Sequence, residues 1–221
     1  YEGLKKCVDQ AKKLNIKRFI LMSANGVKEN GTGYQSTKYR AEEYLKNSGL
    51  DWTIFRPSLI FGDSSGKQEF CKQLKKDMLS LPLPAPLFHK GFLPFNAGTF
   101  KMSPVHVEDV AKCFVNSLSE KQSIGKTFPL GGKEMTWKEI TKNIAIASDR
   151  EDKIFIPAPV LPVKIVASLF DRFSWFPISK DQLTMLLEGN VCDGSEAYSL
   201  FNIKEPIEFN LDSLTYLSDE K

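Results

Sequence analysis

Tyr34 and Lys38 stand four residues apart in the stretch Tyr34-Gln35-Ser36-Thr37-Lys38. On a helix that spacing projects both side chains from one face, so a phenol and an ammonium can reach the same ligand. A phenol with an ordinary pKa near ~10 becomes a usable acid or base close to neutrality when a neighbouring cation favours its phenolate. Tyr1 and Lys5 share the spacing, as coincidence allows in a lysine-rich chain. What distinguishes Tyr34 is its place. It opens a helix just after a loop that leaves a buried strand, and open α/β sheets bind ligands at the carboxyl ends of their strands.

A second constellation is Gly62-Asp63-Ser64-Ser65-Gly66, a G-x-S-x-G pattern between a strand and a helix. A serine hydrolase would use Ser64 as nucleophile with His106 as its base. That reading leaves the chain beyond His106 without a role, and a polar glycine-serine loop needs no catalytic explanation. Metal chemistry has little to work with. His89 and His106 are the two histidines, and Cys7, Cys71, Cys113 and Cys192 lie far apart with no C-x-x-C pair. They read as reduced structural thiols, and no metal site is expected.

The elements that must position Tyr34 and Lys38 are legible around them. The run Ile16–Ser23 is short, apolar and followed by Asn25-Gly26, as suits a strand buried on both faces. The helix carries Tyr39, Ala41, Tyr44 and Leu45 between charges and stops at Asn47-Ser48-Gly49. Trp52 to Phe61 reads as a second strand. Strand, helix, strand implies a parallel crossover, and so an α/β doubly wound sheet. Upstream, Leu4, Val8, Ala11 and Leu14 have a helical period, so the chain opens inside a helix–strand unit and further residues are expected before Tyr1.

Downstream, Gln68 to Leu79 predicts a helix, and the prolines of Leu81–Leu87 end it in an irregular region reaching to about Phe100. Lys101 to Val107 should be extended and Glu108 to Leu118 helical, with Val110, Ala111, Phe114, Val115 and Leu118 on one face. His106 and Asp109 suit a strand-to-helix junction, the acid in the first turn being favoured by the helix dipole. Thr127 to Leu130 is a short strand. Thr136-Trp137-Lys138-Glu139 has capping-box spacing and starts a helix to about Ala147; Ser179-Lys180-Asp181-Gln182 starts another ending near Gly189. Between them Ile165, Val166, Leu169, Phe170 and Phe173 share a helical face that Trp175 and Phe176 extend.

The 221 residues carry 30 lysines and arginines against 27 acids, a formal net charge of +3. The basic residues are scattered in pairs such as Lys12-Lys13 and Lys75-Lys76 without forming a stripe, which argues against a nucleic-acid binder. No apolar run reaches the ~18 residues of a spanning helix, and no signal peptide opens the chain. A cytoplasmic protein is the expectation, with Ile165–Phe176 as a surface for a protein partner or a membrane face.

Taken in order, Lys17–Ser23, Tyr34-x-x-x-Lys38, Arg56–Gly62 and Val105–Ala111 resemble successive blocks of the extended and atypical short-chain dehydrogenase/reductases, the NAD-dependent epimerase/dehydratase-like group. Thr136–Ile140, Ser179–Leu183 and Gly189-Asn190-Val191 are similar to the branch with the nucleotide-binding accessory subunit of respiratory complex I and its bacterial relatives. The resemblance implies a Rossmann-type core over 1–62 and about 101–130, with a substrate or interaction region over about 63–100 and 131–221. It implies NAD or NADP as cofactor, Tyr34 as general acid/base, Lys38 as its partner and a ribose ligand, and Pro57, Ser58 and Ile60 beside the nicotinamide. Alanine, Ala24, stands where the family places a serine, and Ser23 is the residue that would substitute. No G-x-G-x-x-G loop, the usual pyrophosphate cradle, occurs in the sequence. The expected function is therefore an NAD(P)-binding oxidoreductase or epimerase, or else a non-catalytic accessory subunit peripheral to the mitochondrial inner membrane on its matrix side.

Overall fold

The computed structural model describes residues 1–91, 93–162 and 180–218. Helix α1 (Glu2–Lys13) buries Val8 and Ala11 and ends where Asn15 takes a positive φ. Strand β1 (Arg18–Met22) follows, then helix α2 (Gly33–Lys46) and strand β2 (Asp51–Pro57). With β7 (Lys126–Leu130) they form a parallel sheet of order β1-β2-β7.

Successive residues of β2 show why the sheet is covered twice. Ile54 and Phe55 point to opposite faces, and both are fully buried. Ile54 joins Val8 of α1 and Leu45 of α2 on one side, while Phe55 joins Phe128, Val110, Cys113 and Phe201 on the other. Each such side chain contributes roughly 1.5–3 kcal/mol by leaving water. The expected α/β doubly wound architecture is what this arrangement gives. β1 is less buried than its apolar run predicts, because among the described residues only β2 pairs with it.

The second predicted strand divides. β2 stops at Pro57, and β3 (Ile60–Phe61) pairs instead with β6 (Val105–His106). Ser58 N still donates to Leu130 O at 2.8 Å, but the ladder then passes to Leu59 O, which accepts from Val105 N. Helix α3 (Phe70–Leu74) continues as one wide turn over Lys75–Leu79. The stretch expected to be irregular contains β4 (Ala85–His89), parallel to β9 (Phe155–Pro159). Pro86, Pro157 and Pro159 hid both strands from the sequence reading, and each strand has one partner among the described residues, so prolines fit.

β5 (Lys101–Met102) pairs antiparallel with β8 (Met135–Thr136), and α5 (Trp137–Ala147) begins with the predicted Thr136/Glu139 capping box. α4 (Val107–Ser117) is rotated from the expected face. It buries Asp109, Val110, Cys113 and Ser117 and leaves Val115 and Leu118 exposed. The cause is Asp109, whose carboxylate turns inward to accept from Ile207 N (2.7 Å). His106 caps the helix by accepting from Glu108 N, as a junction residue does. Helix α6 (Lys180–Glu188) ends at Gly189, with φ 78°, and α7 (Ser195–Leu200) packs on β7. The predicted box at Ser179 and the apolar face Ile165–Phe176 lie outside the described residues. No described helix is long and apolar enough to cross a membrane.

Candidate functional site

The site is assembled where β1, β2 and β7 end. Ser23 N donates to Phe55 O (2.7 Å) and Asn25 N to Pro57 O (2.9 Å), so the chain leaving β1 stays on the ladder before it turns away. The loop then reaches Thr32, which caps α2. Thr32 Oγ1 accepts from Gln35 N, and Gln35 Oε1 accepts from Thr32 N at 2.8 Å. This box fixes the first turn, on which Tyr34 sits.

Residues from far along the chain lie against that loop. Glu188 accepts from Lys28 Nζ (2.7 Å) and from Gln35 Nε2 (3.0 Å), which hold its carboxyl below the usual glutamate value. Gln35 Nε2 also donates to Gly26 O. Asn25 Nδ2 donates to Asn190 Oδ1 (2.8 Å), and Ser58 Oγ to Asn190 O (2.7 Å). A cleft of about 670 Å³ opens beside this strap, lined by Asn25, Lys28, Phe100, Lys101, Glu188 and Asn190 among others. Its two lysines are matched by acids, Lys28 by Glu188 and Lys101 by Glu134 (2.5 Å). Sequence reasoning assigned Asn25, Gln35 and Glu188 no role. Thr32-x-x-Gln35 carried the capping signal, whereas the contacts to Glu188 and Asn190 span 153 and 165 residues and leave no local trace.

Tyr34 and Lys38 do share a face of α2. Tyr34 is 47% exposed, and its hydroxyl makes no hydrogen bond among the described residues. Lys38 Nζ donates to Met22 O at the end of β1 (3.3 Å) and lies 5.7 Å from the centroid of the Tyr34 ring. The cation therefore faces the ring rather than the phenol oxygen, and burial pushes the Tyr34 pKa up. The acidification anticipated from the spacing is not present in this arrangement. It requires the ammonium to move from the ring towards the oxygen.

Ser23 is placed differently from its expected role. It is buried and donates to Glu42 Oε1 (2.5 Å), while Glu42 is held bidentately by Arg56 Nε (2.9 Å) and Nη2 (2.5 Å). The guanidinium pKa is raised by this carboxylate. Ser23 thus supports a buried ion pair between α2 and β2 instead of facing Tyr34. Pro57 and Ser58 are buried at the end of β2, and Ile60 sits in β3 against the Phe55 cluster. Ser64 Oγ donates to Lys67 O within its own loop, and both nitrogens of His106 lie elsewhere: Nδ1 accepts from Glu108 N and Nε2 faces Gly62. The hydrolase reading has no assembled dyad.

Residues 1–79 match the family model described as NAD(P)H-binding. Over those residues the chain is similar to NAD(P)H-binding domains. Over 198 residues it is 27% identical to the mitochondrial NADH-ubiquinone oxidoreductase 40 kDa subunit of Neurospora crassa, covering 87% of this chain and 48% of that protein. It is 26% identical to the chloroplastic divinyl chlorophyllide a 8-vinyl-reductase of Arabidopsis thaliana, covering 79% of this chain and 40% of the reductase. The chain thus spans about half the length, or less, of these curated relatives. Among solved structures, the UDP-glucuronic acid 4-epimerase of Bacillus cereus, determined with UDP-glucuronic acid and NAD, superposes with a TM-score of 0.61 at 18% identity, covering 96% of this chain and 63% of the epimerase. The chain therefore has a parallel-sheet, Rossmann-like α/β fold, shared with this epimerase.

Proposed function

We propose that this chain holds the nicotinamide-ribose end of NAD or NADP at the carboxyl ends of β1 and β2, as part of an atypical short-chain dehydrogenase/reductase. The observation that carries the reading is the pairing of Tyr34 and Lys38 on the first turns of α2, directly above Met22. The donor set fits a ribose. Lys38 has three N–H donors and spends one on a long bond to Met22 O, and the Tyr34 hydroxyl is unused among the described residues. Pro57 and Ser58 would wall the nicotinamide side, with Ile60 backing them from β3. The cofactor supplies the hydride acceptor or donor. Tyr34 gives a proton to, or takes one from, a substrate oxygen, and Lys38 steadies the phenolate when its ammonium reaches the phenol oxygen. Fluorescence titration of the protein from its natural source with NADH and NADPH tests this. Lys38→Ala should weaken binding by about tenfold or more; unchanged affinity for both nucleotides would end the assignment.

A second reading is favoured by Ser23 and Ala24. With the Ser23 hydroxyl committed to Glu42, no serine hydroxyl accompanies Tyr34 among the described residues, which suits a subunit that retains its dinucleotide without turnover. Such a role agrees with the likeness to the 40 kDa respiratory subunit and would place the protein in the mitochondrial matrix. Steady NAD(P)H oxidation that depends on a second substrate decides for the enzyme, and bound nucleotide without turnover decides for the subunit.

A further inference from the structure

A capping box takes glutamate as readily as glutamine at its fourth position, because it needs only an oxygen to receive the N-cap N–H. At Gln35 that oxygen is Oε1, which accepts from Thr32 N (2.8 Å) while Thr32 Oγ1 accepts from Gln35 N. The nitrogen of the same amide is spent elsewhere. Gln35 Nε2 donates to Gly26 O and to Glu188 Oε2, each at 3.0 Å. An amide nitrogen carries two N–H donors and both are used here, whereas a carboxylate has none. These two acceptors, rather than the cap, are what call for glutamine.

The side chain is also enclosed. Gln35 is 3% exposed, and a Cβ added at Gly31 would meet its Oε1 at 2.6 Å and its Cβ at 2.7 Å. Glycine at position 31 is what lets the amide lie across the loop. One buried group thereby ties together the chain leaving β1, the cap of α2 and the end of α6. Tyr34 stands in the turn between Thr32 and Gln35, and Lys38 reaches back from the next turn to Met22 O. The charges around this crosspiece are few. Lys28 holds Glu188 at 2.7 Å, Lys90 adds to the field that keeps Glu188 ionised, and Asp181 Oδ2 accepts from Gly33 N (3.3 Å).

We propose that Gln35 is a positioning residue: it fixes the turn that bears Tyr34 against Gly26 and Glu188 of the cleft wall, so that Tyr34 and Lys38 meet the ribose in register. This rests on the reading of those two residues as ribose ligands. It requires an amide at position 35, because a carboxylate keeps the cap and loses both links to the cleft.

Gln35→Glu separates positioning from capping. Its carboxylate would stand buried beside Glu188 and the Gly26 carbonyl, which raises its pKa, so at mildly acid pH the protonated form regains one donor. In Gln35→Glu combined with Glu188→Gln the donor is supplied from the other side of the contact. Two measurements on the full-length protein read the effect: fluorescence titration with NADH and NADPH, and amide hydrogen exchange over residues 25–34. Gln35→Glu should bind nucleotide about tenfold more weakly at neutral pH and exchange faster over that stretch. Binding should recover at mildly acid pH, and both properties should recover in the double variant. Gly31→Ala leaves Gln35 in the sequence but pushes its side chain aside, and should weaken binding in the same direction. Equal affinity and equal exchange in wild type and Gln35→Glu overturn the proposal, as does a loss that neither acid nor the second substitution reverses. A wild type that binds neither nucleotide overturns the ribose reading instead. The exchange measurement then decides by itself whether Gln35 holds the turn, with unchanged exchange in Gln35→Glu against it.

Discussion

Ser23 and Tyr34 stand on either side of the same loop yet are committed to different work. Tyr34 and Lys38 were legible because a helical spacing of four needs no tertiary knowledge. The partnership of Ser23 with Glu42 and Arg56 was not, since it depends on α2 laying Glu42 across two neighbouring strands. That difference yields a paired prediction. Ser23→Ala should lower stability by about 1–3 kcal/mol, by leaving a buried charged acceptor short of one donor, and leave nucleotide affinity unchanged. Tyr34→Phe should do the reverse for chemistry, abolishing any substrate-dependent NAD(P)H oxidation with almost no change in stability, because the phenol oxygen holds no described partner. Urea unfolding and steady-state kinetics on the two variants check both. Full turnover in Tyr34→Phe would remove it from the acid/base role.

Among the elements, the connection between the β1–α2 loop and the end of α6 governs the cleft. Glu188 has a folded-state pKa lowered by Lys28 and Gln35. Its contribution is therefore present above the unfolded value, about 4.3, and is lost as pH falls through the lower folded-state value. Wild type should exceed Glu188→Gln in stability at neutral pH by about 0.5 kcal/mol, the modest amount expected of a partly exposed ion pair. Thermal melts from neutral to acid pH should show the two curves converging in that acid window; a constant gap would mean that the carboxylate's charge is not what holds the strap. The same strap needs Gly131. A Cβ there would meet Cys192 Sγ at 2.8 Å and Ser103 Cβ at 2.9 Å, so Gly131→Ala should cost about 1–3 kcal/mol in thermal unfolding and loosen the cleft as well. The helices α2, α4 and α5 were readable from period and caps. β4 and β9 were not, because their prolines signal against a strand, although each has one partner among the described residues.

At the scale of the molecule, a parallel sheet with Ile54 and Phe55 buried on opposite faces was foreseeable from two apolar runs separated by one amphipathic helix. The assembly of the cleft was not. Asn25, Ser58 and Asn190 are brought together by topology, from positions 25 to 190 of the chain. We propose that the described Rossmann-like core holds a dinucleotide through Lys38 and Tyr34. Native followed by denaturing mass spectrometry of the protein purified from its natural source tests it most directly. A bound mass of NAD or NADP, released on denaturation and depleted in Lys38→Ala, is expected. A folded protein that carries no dinucleotide, and takes none up when NAD(H) or NADP(H) is added, would contradict it.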